Sequence, residues 1–280
     1  MTGLDPIYIE QVVKTALAED IGSGDVTTLL TIPQDAQATA TLTAKQEGVI
    51  AGQDVAWAAF SLLHCPVQYM QAVPDGTRVK SGDLIGRVSG NARGVLTGER
   101  VCLNFLQRMS GVATLTAKYV DAVSHTKARI VDTRKTTPGL RRLEKYAVIV
   151  GGGRNHRFGL SDGILIKDNH IAAAGGIAPA VNAARQGAPH TLTVEIEVIN
   201  LDQLREAIDA RPDVVMLDNM PIEQMREAVS IANGKVLLEA SGGVNLETVR
   251  AIAETGVDII SVGALTHSAP AMDISLNIIG

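Results

Sequence analysis

Short apolar runs that end in polar or glycine residues recur through the second half of the chain. They are IVDTRK (130–135), ILIKDNH (164–170), VEIEV (194–198), VVMLDN (214–219), LLEASGG (237–243) and IISVGA (259–264). Runs of this length, rich in Val, Ile and Leu, read as strands buried on both faces. The later strand ends, at Glu197, Asp218, Ser241 and Gly263, lie roughly 20–24 residues apart, the repeat of a minimal βα unit. LDQLREAIDA, PIEQMREAVSIANG and NLETVRAIAETG fill the gaps as helices opened by a cap or a Pro. A further strand is expected in or near YAVIVGGG (146–153), and the pattern leaves an incomplete and a regular eight-fold barrel both open. The doubly wound alternative is set aside, because GGGRNHRFG puts charged residues where a dinucleotide fingerprint needs a bare turn.

The first half has a different texture. Ile9, Val12, Val13, Ala16 and Leu17 fall at helical spacing and predict a helix over 7–20, followed by a turn-rich loop over 21–28. From Ala36 to about Gly90, alternation such as TATLTAK and turns such as PDG and KSGD predict antiparallel strands, interrupted by one helix over 53–63. A long helix then runs from Thr97 to about His125, broken near Gly111. The expected organisation is an N-terminal domain over 1–110 and a catalytic α/β barrel over 111–267, with the amphipathic tail 268–280 packing back on the first domain.

Composition narrows the partners. Hydrophobic residues make up 46% and charged residues 20%, enough for a sizeable core. Aromatics are 3% and the net charge is −5 with no basic block, which argues against nucleic acid and anionic membranes. Two cysteines without ligand spacing argue for a reducing compartment and against structural zinc. No signal peptide and no spanning segment are visible, so a cytoplasmic location is expected.

The strand ends change sign along the chain. The first are cationic: Arg134 and Lys135 after Thr133, then Arg154, His156, Arg157, Lys167 and His170 within one stretch. Arg offers a planar fork to a carboxylate or phosphate, and Lys a compact charge. The next are anionic. Glu195 and Glu197 share a strand face, and Asp218 ends the following strand; Lys167 is expected to meet Glu195, Glu197 or a substrate carboxylate, with Glu195 favoured. The last are small: Ser241, Gly242 and Gly243, then Val262, Gly263 and Ala264, suited to phosphate held by backbone N–H groups. Together they predict a ligand with an anionic group, a polyol and a phosphate. A lysine-dependent aldolase using Lys167 is one rival. A carrier module built on PDGTRVKSGDLIGRV is another, but it lacks the exposed turn lysine a carrier needs.

In this order DTRKTTPGLR, GGGRNHRFGLSDGILIKDNH, VEIEV, LDN, EASGG and VGALTHS resemble the quinolinate phosphoribosyltransferase family. The resemblance extends to EDIGSGDVTT and GERVCLNFLQRMSG near the N-terminus. It implies an N-terminal α/β sandwich joined to an incomplete, seven-stranded α/β barrel of the TIM type. The implied reaction is transfer of the phosphoribosyl group of phosphoribosyl pyrophosphate (PRPP) to quinolinate with decarboxylation. The products are nicotinate mononucleotide, pyrophosphate and CO2, on the route to NAD. By the same resemblance Arg134, His156, Arg157 and Lys167 bind quinolinate, with Arg100 added from the second subunit of a homodimer or a larger assembly. Thr133 belongs to the same loop, and Lys135 faces the pyrophosphate. Glu197 and Asp218 hold the ribose and the magnesium–PRPP complex, with no direct metal ligand assigned. Ser241 to Gly243 and Val262 to Ala264 take the 5′-phosphate. The catalytic roles fall on Lys135, Lys167, Glu197 and Asp218.

Overall fold

The computed structural model describes residues 3–63 and 65–279; Met1, Thr2, His64 and Gly280 lie outside the described residues. In chain order the elements begin α1 (Pro6–Ile21), α2 (Val26–Thr31), β1 (Gln37–Ala44), β2 (Gly48–Val49), α3 (Gln53–Ser61), β3 (Val67–Gln71), β4 (Arg78–Val79), β5 (Leu84–Asn91) and α4 (Ala92–Val123). They continue with β6 (Arg129–Val131), α5 (Arg141–Val150), β7 (Ile164–Ile166), α6 (Asp168–Ala174), α7 (Ile177–Gly187), β8 (Val194–Val198), α8 (Leu201–Ala210), β9 (Val214–Asp218) and α9 (Ile222–Ala232). The last are β10 (Leu237–Ser241), α10 (Val249–Ala253), β11 (Ile259–Ser261), α11 (Ala264–His267) and β12 (Ile274–Ile279). Two compact units form: Met1–Ala117 with Thr137–Gly152 and Ser268–Gly280, and Lys118–Thr136 with Gly153–His267. The sequence boundary at 110/111 therefore falls inside α4, and residues 137–152 group with the first unit.

In the first unit, Asp5 caps α1 through Ile7 N–H, Pro6 opens the helix, and Ile9, Val13 and Leu17 bury one stripe at steps of four. Residues 21–28 are not all loop. Asp25 accepts from Thr28 N–H at 3.0 Å and nucleates α2, whose N-cap signal was hidden among turn residues. A four-stranded antiparallel sheet has the order β12-β1-β5-β3, and β12 pairs along β1 from Thr39↔Ile279 to Ala44↔Ile274. On β1 the alternation predicted by TATLTAK appears as buried Ala40, Leu42 and Ala44. β4 leaves this sheet and pairs with β2 instead.

α4 is continuous, contrary to the break expected near Gly111. The glycine serves a close approach. A Cβ there would lie 2.0 Å from the Pro270 carbonyl oxygen, where the chain leads toward β12. Two hydrogen bonds hold this approach, Met272 N–H to the Gln107 carbonyl at 2.9 Å and Gln107 Nε2 to the Ile274 carbonyl at 2.7 Å.

The second unit holds a six-stranded parallel sheet of order β6-β11-β10-β9-β8-β7. From β7 to β11 the strands sit in chain order, yet the first strand, β6, pairs with the last, β11. An open doubly wound sheet would leave those two apart, so the pairing marks a barrel. The expected seventh strand is not in YAVIVGGG. That segment ends helix α5, because Leu143, Ala147 and Val148 are buried at helical spacing. A single parallel bridge, Val131↔Arg154, stands in its place beside β6. Arg154 donates to the Ile130 carbonyl and accepts from Asp132 N–H, and the described residues pair no further between it and β7. The barrel is incomplete on that side.

Gly111→Ala is expected to lower stability by about 1–3 kcal/mol, although Ala is the better helix former, because overpacking against a backbone oxygen outweighs propensity. Urea unfolding of the two proteins checks this. An alanine variant as stable as the parent would show that the approach of Pro270 to α4 has slack.

Candidate active site

Inward-facing residues of the barrel lie in layers fixed by strand register. Glu197, Met216 and Glu239 are successive register partners on β8, β9 and β10. Asp218 and Ser241 form the layer above, toward the C-terminal tips. Glu195 lies one layer below, level with Leu165 and Val214. A cavity of about 520 Å³ opens over these layers. Thr133, Arg134 and Lys135 line it from the loop after β6, and His156 and Arg157 from the segment after the Arg154 bridge. Lys167 lines it from the tip of β7, Glu197 from β8, Asp218 from β9, and Ser241, Gly242 and Gly243 from β10.

Val262, Gly263 and Ala264 follow β11 and are not among the lining residues; Ser261 takes that position. Gly263 sits against this wall, since a Cβ there would meet the Lys135 side chain at 3.3 Å and the His267 ring at 3.1 Å. Arg100 lies exposed on α4 in the first unit.

The 133–135 loop is held in shape by Lys135 N–H donating to Thr133 Oγ1 at 3.0 Å, and by Thr266 Oγ1 donating to the Lys135 carbonyl at 2.7 Å. Its tip side chains, Arg134 and Lys135, are exposed. Arg157 is anchored through its guanidinium to the Gly163 carbonyl at 3.1 Å. Partial burial, and then the positive charge of Arg134, pull the Arg157 pKa below the usual arginine range. Two guanidinium groups this close make a site that calls for an anion.

Of the two carboxylates expected from sequence, Lys167 pairs with Glu197 at 2.6 Å and not with the favoured Glu195. The reason is depth. Glu195 is buried one layer down, where His156 Nε2 meets its Oε2 at 3.0 Å. The His156 ring is fixed from both ends. Its Nδ1 accepts from Arg157 N–H at 2.7 Å, which places the ring proton on Nε2, directed at Glu195. Its own backbone N–H donates to the buried Asp132 at 2.9 Å.

Glu239, also buried, was missed as a site residue. Its Oε1 lies 3.7 Å from His156 Nε2 and, like Glu195 Oε1, has no hydrogen-bond partner among the described residues. Burial, and then the negative charge of Glu195, push its pKa up to about 8, with His156 opposing. The signal was in the sequence: a Glu inside the apolar run LLEAS asks the same question as the two in VEIEV. His156, Glu195 and Glu239 bring ligand atoms within 4.8 Å of one another, the spacing of a metal site. The tautomer argues against one, because a metal on Nε2 would require an imidazolate. Asn219 was also missed. It lines the cavity with φ of +52° and donates to Asp218 at 3.0 Å. Gly242 is glycine because its φ is +90° and a Cβ would fall 2.2 Å from Asn219 Oδ1.

Comparisons with known proteins agree with this architecture. Residues 25–110 match the family described as quinolinate phosphoribosyl transferase, N-terminal domain, and residues 112–277 match its C-terminal domain. A probable nicotinate-nucleotide pyrophosphorylase [carboxylating] of Bacillus subtilis is 45% identical over 275 residues, spanning 98% of this chain and 95% of the relative. The nicotinate-nucleotide pyrophosphorylase [carboxylating] of Mycobacterium leprae is 47% identical over 272 residues, spanning 95% of each. The solved nicotinate-nucleotide pyrophosphorylase of Francisella tularensis superposes with a TM-score of 0.95 at 45% identity, covering 99% of this chain and 98% of that one. With both domain families matched in order and relatives aligned almost end to end, the chain belongs to the quinolinate phosphoribosyltransferase family.

Proposed function

We propose that the cavity holds quinolinate and PRPP side by side, cations toward the diacid and carboxylates toward the sugar. The chain transfers the phosphoribosyl group of PRPP to quinolinate with decarboxylation, yielding nicotinate mononucleotide, pyrophosphate and CO2 for NAD synthesis. The observation that carries the division is that Arg134, Arg157 and Lys167 line the same cavity as Glu197 and Asp218.

Quinolinate brings two carboxylates. Arg134 and Arg157 offer planar donors, Lys167 a point charge, and His156 a fixed ring edge beside them. Lys135 faces the pyrophosphate of PRPP. Glu197 and Asp218 accept from the ribose hydroxyls and from the water shell of the magnesium that travels with PRPP; hard oxygen acceptors suit that ion. Ser241, Gly242 and Gly243, with the adjoining 262–264 turn, take the 5′-phosphate.

Attack of the pyridine nitrogen on the anomeric carbon then expels magnesium pyrophosphate. The sugar carries oxocarbenium character in the transition state, which the carboxylates on its side stabilise. Holding ring and sugar in line removes a large entropic barrier. The alkylated nitrogen next draws the electron pair left when the 2-carboxylate departs as CO2. Lys167 and Glu197 neutralise one another without substrates. Quinolinate takes Lys167, and Glu197 is released to the ribose.

The assembly we infer is a homodimer in which Arg100 of each chain completes the cavity of the other. A cytoplasmic location belongs to the same inference. No described helix is long and apolar enough to cross a membrane.

Purified protein mixed with quinolinate, PRPP and magnesium is expected to form nicotinate mononucleotide, while nicotinate, lacking the second carboxylate, serves poorly; equal turnover of both acids would remove the diacid reading. Arg134→Ala is expected to weaken quinolinate binding about 100-fold, within the ~2–5 kcal/mol that a lost charged partner costs, and to leave PRPP binding within a few-fold. Calorimetric titration with each substrate decides, and equal loss of both would refute the division of the cavity.

A further inference from the structure

Decarboxylation has a chemical requirement that the site so far leaves unmet: the ring carbon that loses CO2 must gain a proton. This inference rests on the reaction proposed above. Among the acids facing the cavity, most are committed. Both ring nitrogens of His156 are engaged, Nδ1 by Arg157 N–H and Nε2 by Glu195. Lys167 passes from Glu197 to a quinolinate carboxylate, and Lys135 is turned to the pyrophosphate, so both ammonium groups are taken up by substrate anions. A guanidinium does not give up its proton.

Glu239 differs. It is 2% exposed, lies one layer below Ser241 on β10, and still lines the cavity. One of its oxygens and one of Glu195 have no hydrogen-bond partner among the described residues. Two carboxylates this close in a dry place cannot both be ionised. Its neighbours across the sheet, Met216 and Ile259, carry no charge. The titratable and polar groups facing it are Glu195, His156 and Ser261. A second hollow of about 190 Å³ shares His156, Arg157 and Glu239 with the cavity and adds Asn155, Asp162 and Glu195. Val131, Ile164, Val214 and Ile259 make the apolar part of its wall, and it reaches the same carboxyl group from the side away from the main cavity.

We propose that Glu239, held as a neutral acid against Glu195, delivers the proton that replaces CO2 at C2 of the pyridine ring. The C2–carboxylate bond breaks, CO2 leaves, and the electron pair stays on C2 beside the quaternary nitrogen. The Glu239 O–H bond then breaks toward oxygen and a C–H bond forms. Glu239 is left as a carboxylate and regains a proton from water through the second hollow. Nothing is oxidised or reduced. Glu195 and His156 are positioning residues: one supplies the negative charge that keeps Glu239 protonated, the other fixes that charge in place.

Pyrophosphate release and release of labelled CO2 from quinolinate are followed separately in single turnovers. In Glu239→Gln, CO2 release is expected to slow at least ten-fold more than pyrophosphate release, with the dicarboxylate nucleotide accumulating between them. The two rates falling by one common factor, or neither changing, would overturn the assignment. If the parent protein releases no pyrophosphate from quinolinate and PRPP, the functional reading fails first, and the two failures are thereby distinct.

Stability gives a readout independent of turnover. The folded chain keeps the Glu239 proton up to about pH 8, whereas the unfolded chain releases it near the ordinary value of 4.5. The stabilisation is therefore complete below about 4.5 and lost as pH rises through about 8. Between pH 5 and 9 the parent should lose unfolding temperature relative to Glu239→Gln. A constant difference across that range would mean that Glu239 is ionised when folded, which also overturns the proposal.

Discussion

The ion pair between Lys167 and Glu197 sets the terms for the rest of the site. β7 lies beside β8, so a cation ending one strand meets an anion near the end of the next at 2.6 Å. Lys167 is 47% exposed, and a pair so hydrated adds only about 0–1 kcal/mol to stability. Its use is exchange. On the reading proposed above, the two side chains match each other's charge until a diacid and a sugar arrive, and each then turns to its own ligand. A pair that contributed much more to stability would resist that exchange, and a missing pair would leave two like-charged clusters with no local compensation.

Depth in the barrel explains which carboxylate does what. Two residues along a strand are about 6.6 Å apart and point the same way. That step takes Glu197 to the cavity wall and Glu195 to the interior, although they are neighbours on one face of VEIEV. At the wall a carboxylate finds Lys167 and water. One layer down it finds the His156 ring, locked by Arg157 N–H, and a second acid, Glu239. The same residue type is the half-buried partner of an exposed lysine in one layer and part of a buried proton network in the next.

The sequence made the strand tips readable because parallel strands buried on both faces tolerate few polar residues. Arg134, Lys167, Glu197 and Asp218 stood out for that reason, and one cavity collects them. What it hid was set by contacts distant in sequence. Gly111 looked like a helix break because only the folded chain brings Pro270 against it. YAVIVGGG fits a strand or a helix until its buried positions are known, and the extra pairing expected in or near it falls just after it, at Arg154. Asp25 was lost among turn residues that also serve as caps. The Glu195 assignment failed because alternation gives the face of a strand and not the layer. Glu239 is legible by the rule applied to VEIEV, since a Glu inside an apolar strand run needs a partner or a neutral state.

The charge balance ties these layers to the reaction. Four cationic side chains, Arg134, Lys135, Arg157 and Lys167, line the cavity with three acids, Glu197, Asp218 and Glu239. Were all three acids ionised, one net positive charge would face two polyanionic substrates. Burial beside Glu195 keeps Glu239 neutral and raises that surplus without adding a cation. The carboxyl group that escapes ionisation also retains an acidic proton beside the cavity. Charge complementarity to the substrates and a proton source for the product then have a single cause, the crowding of two carboxyl groups where water is scarce.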